Sequence, residues 1–317
     1  MHPEIVVFGS AIVDFISYVD RLPRSGETLH GSKFATGFGG KGANQCVAAA
    51  KLGAKTAMVA KLGSDPWGQK YLENLKNQGV EISGVKVVED TTGIAQIIVS
   101  ETGENQIVIV AGANNHLEED DVDKNPGLFK SCKVLITQLE TPLKGTIHAL
   151  KTFQGTSILN AAPALENYSK ELLVYSKIFC VNEHEATIMS GIEVKSPRDA
   201  KSAIKKFLTL GANIVVITLG ELGAVYGQKD SQEMVHIPVF RKVEKVVDTT
   251  GAGDAFIGSL AYFLVKSPES SLTNLIGAAC EVASHSVQKP GTQSSFPNAK
   301  DLNLDEISRK DYPYHLL

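Results

Sequence analysis

"DTTGAGDAFIGSLAYFLV", residues 248–265, joins a short polar loop to a long apolar helical pattern that begins at Ala255. Two carboxylates, Asp248 and Asp254, bracket two threonines and the triplet Gly251-Ala252-Gly253. Glycines let backbone amides approach an anion closely, and a helix start aims unpaired N–H groups and positive dipole at it. A carboxylate placed there is positioned to take a proton from an attacking hydroxyl. The loop alone reads as well as a tight turn capped by an ordinary aspartate. Asp248 likewise reads as a turn-forming Asx residue.

Outward from this loop, short β-rich runs alternate with helical patterns. Buried strands are expected at "IVVFG" (5–9), "TAMVAKLG" (56–63), "KVLITQL" (133–139), "SILNAA" (157–162), "IFCVN" (178–182) and "NIVVITLG" (213–220). Helices are expected at "GQKYLENLKNQG" (68–79), "SPRDAKSAIKKFLTLG" (196–211) and "AFIGSLAYFLV" (255–265). Ser64 or Asp65 caps the first of these, Pro66 opens it, and Gly79 closes it. Such alternation implies a parallel sheet covered by helices on both faces, with ligands at the carboxyl ends of its strands. "GETLHGSKFATGF" (26–38) and "GIAQIIVSETGENQIVIVAGAN" (93–114) break the pattern and read as antiparallel strands, the second turning at "ETGEN". They suit a small separate sheet acting as a lid.

With 317 residues, 43% apolar and 21% charged, the chain suits one large α/β domain or one with a small appendage. Its net charge of −4 carries no basic block, so duplex nucleic acid is excluded as a partner. No stretch reaches the roughly 18–20 apolar residues of a membrane span, and the N-terminus lacks a signal-peptide pattern. Cys46, Cys132, Cys180 and Cys280 are widely spaced and read as reduced, buried thiols. Together these predict an intracellular protein, cytoplasmic and with the nucleus as a second compartment.

A second glycine cluster, "GFGGKGANQCVAAAKLG" (37–53), formally fits G-x-G-x-x-G through Gly37, Gly39 and Gly42. The preceding "GSKFAT" is not a buried strand opening a βαβ unit, so a dinucleotide reading is disfavoured. Lys41 is not followed by Ser or Thr, which removes a Walker loop. What remains is a glycine-rich turn into a helix, whose Lys41 and Asn44 offer donors to an anion or polyol. A solvated Lys41 and a helix-start Asn44 are the plain alternatives.

The pair "GGKGAN" and "DTTGAGDAF" resembles the two signatures of the ribokinase-like (PfkB) family of sugar and nucleoside kinases. "GSAIVDF", "LPRSGET", "KLGSDPWG", "VAGAN", "QLETP", "NAAPA", "VNEHEA", "TLGELG" and "GTQSSFP" follow in family order, over essentially the whole chain. The resemblance implies one ribokinase-like three-layer α/β/α domain, residues 1–317, with a mostly parallel central sheet. A small β-sheet lid comes from insertions at approximately 15–38 and 93–112. It also implies ATP-dependent phosphorylation of the 5-hydroxyl of D-ribose, since "GGKGANQ", "QLETP" and "GTQSS" are similar to the ribose-specific form.

Carried over by motif, Asp254 is the catalytic base and Gly251, Ala252 and Gly253 the anion hole. Asp14, Gly40, Lys41, Gly42, Ala43, Asn44 and Glu140 form the sugar pocket. Asn182 and Glu185 order magnesium, its waters and the phosphates, while Thr218, Gly220, Gly223 and Gly253 border ATP. Asp248, Thr250, Ser286, Lys289, Gly291 and Ser295 hold a potassium ion, mainly through main-chain oxygens. Ile12 stands where many members have a sugar-binding Asn, and Cys280 where an adenine-pocket Asn is common. Trp67 reads as a packing residue, and His184 and His285 receive no role. The family also implies a homodimer paired through the lids. Rival readings are a kinase for deoxyribose, fructose or adenosine, an inactive sugar-binding regulator, and, distantly, a dehydrogenase.

Overall fold

Runs of Val, Ile and Leu bounded by glycine and polar residues become strands where both faces are covered. The computed structural model describes residues 2–241 and 243–317. Its strands are β1 (Ile5–Phe8), β2 (Ile12–Val19), β3 (Lys33–Gly39), β4 (Thr56–Gly63), β5 (Glu81–Val88), β6 (Gly93–Ser100), β7 (Asn105–Val110), β8 (Val134–Thr137), β9 (Thr156–Asn160), β10 (Ile178–Asn182), β11 (Ile214–Thr218), β12 (Ala224–Gln228), β13 (Met234–Ile237) and β14 (His315–Leu316). Ten of them form one sheet in the order β14-β13-β12-β11-β10-β9-β8-β1-β4-β5. From β5 to β11 every neighbouring pair is parallel; β12, β13 and β14 add antiparallel to the edge.

Helices cover both faces. Against one lie α1 (Lys41–Lys51), α2 (Pro66–Asn77), α9 (Ala252–Lys266), α10 (Leu272–Ser286) and α11 (Leu304–Arg309). Against the other lie α3 (Glu119–Asp123), α4 (Pro126–Ser131), α5 (Leu143–Thr152), α6 (Glu171–Tyr175), α7 (Glu183–Ser190) and α8 (Pro197–Thr209). The period of two decides which core each strand residue enters: Ile5 and Val7 pack on the first side, Val6 and Phe8 on the second. All four cysteines are buried free thiols within these cores. No described helix is long and apolar enough to cross a membrane.

The second sheet has four strands in the order β3-β2-β6-β7. Here β2 pairs antiparallel with β3 and parallel with β6, and β6 and β7 form the hairpin expected around "ETGEN". The expected strand in 26–38 is shorter than its pattern suggests, because regular pairing starts at Lys33. The small sheet also begins earlier than residue 15, with Ile12 paired to both Gly39 and Gly93. Trp67 packs outside its own helix, edge-on against Phe15 of β2 at 5.0 Å. Asp65, not Ser64, caps α2, accepting from the Gly68 amide at 2.8 Å, and Gly79 follows it at φ 77°.

Candidate active site

The carboxyl ends of the parallel strands all open on one edge, and the polar residues of the site follow from that placement. Ser10 follows β1, Gln138 and Glu140 follow β8, and Asn160, Asn182 and Thr218 end β9, β10 and β11. The starts of α1 and α9 meet them from the side. Lys41, Asn160, Asn182, Glu185, Thr218, Gly251, Gly253 and Asp254 line a cavity of about 150 Å³ there, with Ala162, Cys180, Val181, Phe256 and Ile257.

Asp254 is buried in the first turn of α9, three residues after Gly251, the N-cap at φ 79°. It is therefore not the cap that the loop alone suggested. Asn44 Nδ2 donates to its Oδ2 and Gln45 Nε2 to its Oδ1, both at 2.9 Å. Burial pushes the Asp254 pKa up, and the nearby Lys41 charge and the two amide donors pull against that rise. The net shift is upward. A β-carbon on Gly253 would meet no atom within 4 Å, so the helix start faces open space. Within Gly251-Ala252-Gly253, Ala252 turns its N–H to the Thr249 carbonyl at 3.2 Å, while among the described residues no such turn bond engages the Gly253 amide.

Lys41 is not a solvated charge. It is half-buried, and although burial disfavours its ammonium, Asp254, Glu140 and Glu185 hold its pKa above the ordinary value. Glu140 accepts from Ser10 Oγ at 2.5 Å and from the Lys41 amide at 2.8 Å. Asp14 lies on β2 with its pKa raised to about 7, first by burial and then by the charges of Glu140 and Asp254. Asp14, Lys41, Glu140 and Asp254 thus form one electrostatic cluster, although Asp14 and Glu140 stand outside the cavity lining. Asn44 is no helix-start residue either; it is buried inside α1 and aimed at Asp254. The glycines before it serve packing: a β-carbon on Gly42 would lie 2.5 Å from the Ser10 amide, and Gly40 takes φ 84°. Ala43 is buried in the core beside them.

Asn182 and Glu185 form a capping box at the start of α7. Asn182 Oδ1 accepts from the Glu185 amide at 2.8 Å, and Glu185 Oε2 accepts from the Asn182 amide at 2.9 Å. Burial raises the Glu185 pKa against the Asn182 bond and the Lys41 charge. Gly220 and Gly223 shape the turn after β11, beside the cavity rather than in its lining. Cys280 is buried in α10, and burial pushes its thiol up to about 12.

The Asp248 loop lies against the segment after α10. Asp248 Oδ1 accepts from the Thr250 amide and Oδ2 from the Gly291 amide, each at 2.9 Å, so the Asx turn is real. These bonds outweigh burial and hold its pKa below the usual value. Ser286 Oγ donates to Ala283 O and Ser295 Oγ to Thr292 O, both at 2.8 Å, which leaves hydroxyl lone pairs free. The Lys289 amide donates to Ser286 O at 3.3 Å and its side chain is exposed.

Gln45, Asn160 and Gln293 received no role from the sequence. Gln45 adjoins Asn44 within "GGKGANQ", and Asn160 ends a strand on the ligand edge, so both carried a usable positional signal. Gln293 carried none.

The pfkB family carbohydrate kinase profile matches residues 2–299. Ribokinase of Mus musculus is 44% identical over 304 residues, covering 95% of this chain and 94% of that protein. Deoxyribokinase of Salmonella typhi is 37% identical over 304 residues, covering 95% and 97%. The solved structure of Arabidopsis thaliana ribokinase, complexed with ribose and ATP, superposes with a TM-score of 0.86 at 29% identity, covering 98% of this chain and 100% of that one. Ribokinase from Thermotoga maritima gives a TM-score of 0.85 at 32% identity, covering 97% and 100%. With the ten-stranded α/β/α body, the separate four-stranded sheet and both glycine motifs at one edge, the chain belongs to the pfkB family of carbohydrate kinases.

Proposed function

We propose that this chain transfers the γ-phosphoryl group of ATP to the 5-hydroxyl of D-ribose, giving D-ribose 5-phosphate and ADP. The observation that carries this reading is Asp254: a buried carboxylate, held on both oxygens by amides, at a helix start that opens on a cavity. Asp254 takes the proton as O5 bonds to the γ-phosphorus and the bond to the β-phosphate oxygen breaks. Gly253 and Lys41 line the same cavity, and their amide and ammonium stabilise charge on the transferring oxygens. Asp14 and Glu140 flank them as acceptors for sugar hydroxyls. The four-stranded sheet acts as a lid that excludes water from the phosphoryl group.

Glu185 and Asn182 suit magnesium. Glu185 lines the cavity, and among the described hydrogen bonds only its Oε2 is engaged, leaving Oε1 for a hydrated dication. When bound, magnesium neutralises phosphate charge. The Asp248 loop suits potassium by the chemistry of its oxygens: a single carboxylate that accepts one amide on each oxygen, from Thr250 and Gly291, and so keeps lone pairs to spare, with Ser286, Lys289 and Ser295 in the segments that would complete the set. Its place for these residues is to hold the Gly251–Gly253 turn in shape, apart from the sugar.

A second reading, 2-deoxyribose as acceptor, is favoured by the Salmonella relative and by Ile12, a buried apolar residue two positions before Asp14. ADP release measured with ribose, deoxyribose, fructose and adenosine, with and without potassium, decides between acceptors. Asp254→Asn is expected to lower kcat by at least about 10²-fold while the protein stays folded. Wild-type turnover in that variant would remove the base assignment.

The lids also pair two copies. Ile107, Val108, Ile109 and Val110 are each at least 50% exposed on β7, an edge strand whose backbone and side chains lack cover.

A further inference from the structure

Asp254 is oriented by Asn44, and Asn44 is itself oriented from the far end of the chain. Gln293 Nε2 donates to Asn44 Oδ1 at 3.1 Å and to the Tyr71 hydroxyl at 3.2 Å. The Tyr71 hydroxyl spends its proton on the Gly39 carbonyl, so it can only accept from Gln293. Asn74 Nδ2 donates to Gln293 Oε1 at 3.0 Å. Tyr71 and Asn74 therefore fix which end of the Gln293 amide is the donor, without touching Asp254. A donor at Asn44 Oδ1 in turn obliges Asn44 to present its N–H to the carboxylate.

We propose that Gln293 is a positioning residue for Asp254: it sets the polarity of the Asn44 amide so that the base is met by a donor. The opposite polarity would set a carbonyl oxygen against a buried carboxylate and favour its protonated form. This inference rests on the reading of Asp254 as the base. The other charged groups facing Asp254 are Lys41 from α1, Asp14 from β2 and Glu185 from α7, with Glu140 after β8 acting through Lys41 and Asp14. None is bonded to Gln293 among the described residues, so they act equally with and without it.

The test is Gln293→Leu, with Gln293→Met as a second variant that keeps an unbranched chain should the first fold poorly. The carboxyl of Asp254 is followed by carbon-13 NMR of aspartate-labelled, ligand-free protein and assigned by its loss in Asp254→Asn. Its titration is expected to move to higher pH by about half to one unit. The acidic limb of the kcat profile should move the same way, with kcat falling by up to about 3- to 10-fold on that limb and the gap closing on its alkaline side. A merely structural Gln293 would lower the melting temperature and leave both titrations where they were, which would overturn the proposal. If the unmodified protein released no ADP with any sugar, the functional reading would fall, while the NMR titration would still decide the role of Gln293.

Discussion

Asp14 shows how a single residue trades stability for chemistry. Its pKa of about 7 in the folded state, against 3.8 ordinarily, comes first from burial and then from Glu140 and Asp254. The folded state therefore binds this proton more tightly than the unfolded chain. Below about pH 4 both states are protonated and nothing is lost; between about pH 4 and 7 the unfolded chain gives up the proton first, so the folded state loses relative stability until both are ionised. Asp14→Asn should consequently melt about 2–6 °C higher than the parent at pH 8 and no higher at pH 4, while its sugar KM rises. Differential scanning calorimetry at the two pH values checks this, and an equal gain at both would refute the assignment. Asp14, Asp254, Lys41 and Glu140 were all legible through motifs. The amide pairings around them were not, although Asn44 itself was, because Gln45 meets Asn160 at a separation of 115 residues and Gln293 meets Asn44 at 249. No local pattern encodes a pair so far apart.

At the scale of elements, the two glycine motifs turn out to do different physical work. Gly42 is needed because α1 presses against the turn after β1, where a side chain would collide with backbone. Gly253 has free space before it, so its proposed part is to let a ligand approach its amide. Gly42→Ala should destabilise the fold by about 2 kcal/mol or more, seen as a lower urea midpoint. Gly253→Ala should leave the midpoint within about 0.5–1 kcal/mol yet raise the KM for ATP and lower kcat. Equal urea midpoints for the two variants would contradict this division. Strand and helix existence was readable where apolar runs were continuous, as in β10, β11 and α9. The pattern did not announce β5, whose Glu81, Ser83 and Lys86 interrupt the apolar run, nor β12 to β14, which reverse direction beyond the last crossover. Tertiary pairing, not local propensity, makes those segments strands.

For the molecule as a whole, two sheets of unlike exposure divide the labour. The large sheet is covered on both faces, whereas β7 leaves four consecutive apolar residues in contact with solvent. Light scattering should give twice the chain mass at micromolar concentration, and Val108→Lys with Val110→Lys should return the mass of one chain. A wild-type monomer would end the lid-pairing proposal. The overall class was legible because strand–helix alternation admits few arrangements. That two separate lid segments share one sheet was expected, but the parallel pairing of β2 with β6 carries no sequence signal. One consequence concerns the order of assembly. The bonds from Asn44 and Gln45 to Asp254 span 210 and 209 residues. During synthesis from the N-terminus, the amides emerge long before the carboxylate they serve. The carboxylate reaches them only once α9 has been made, so a half-made molecule carries the amides without Asp254.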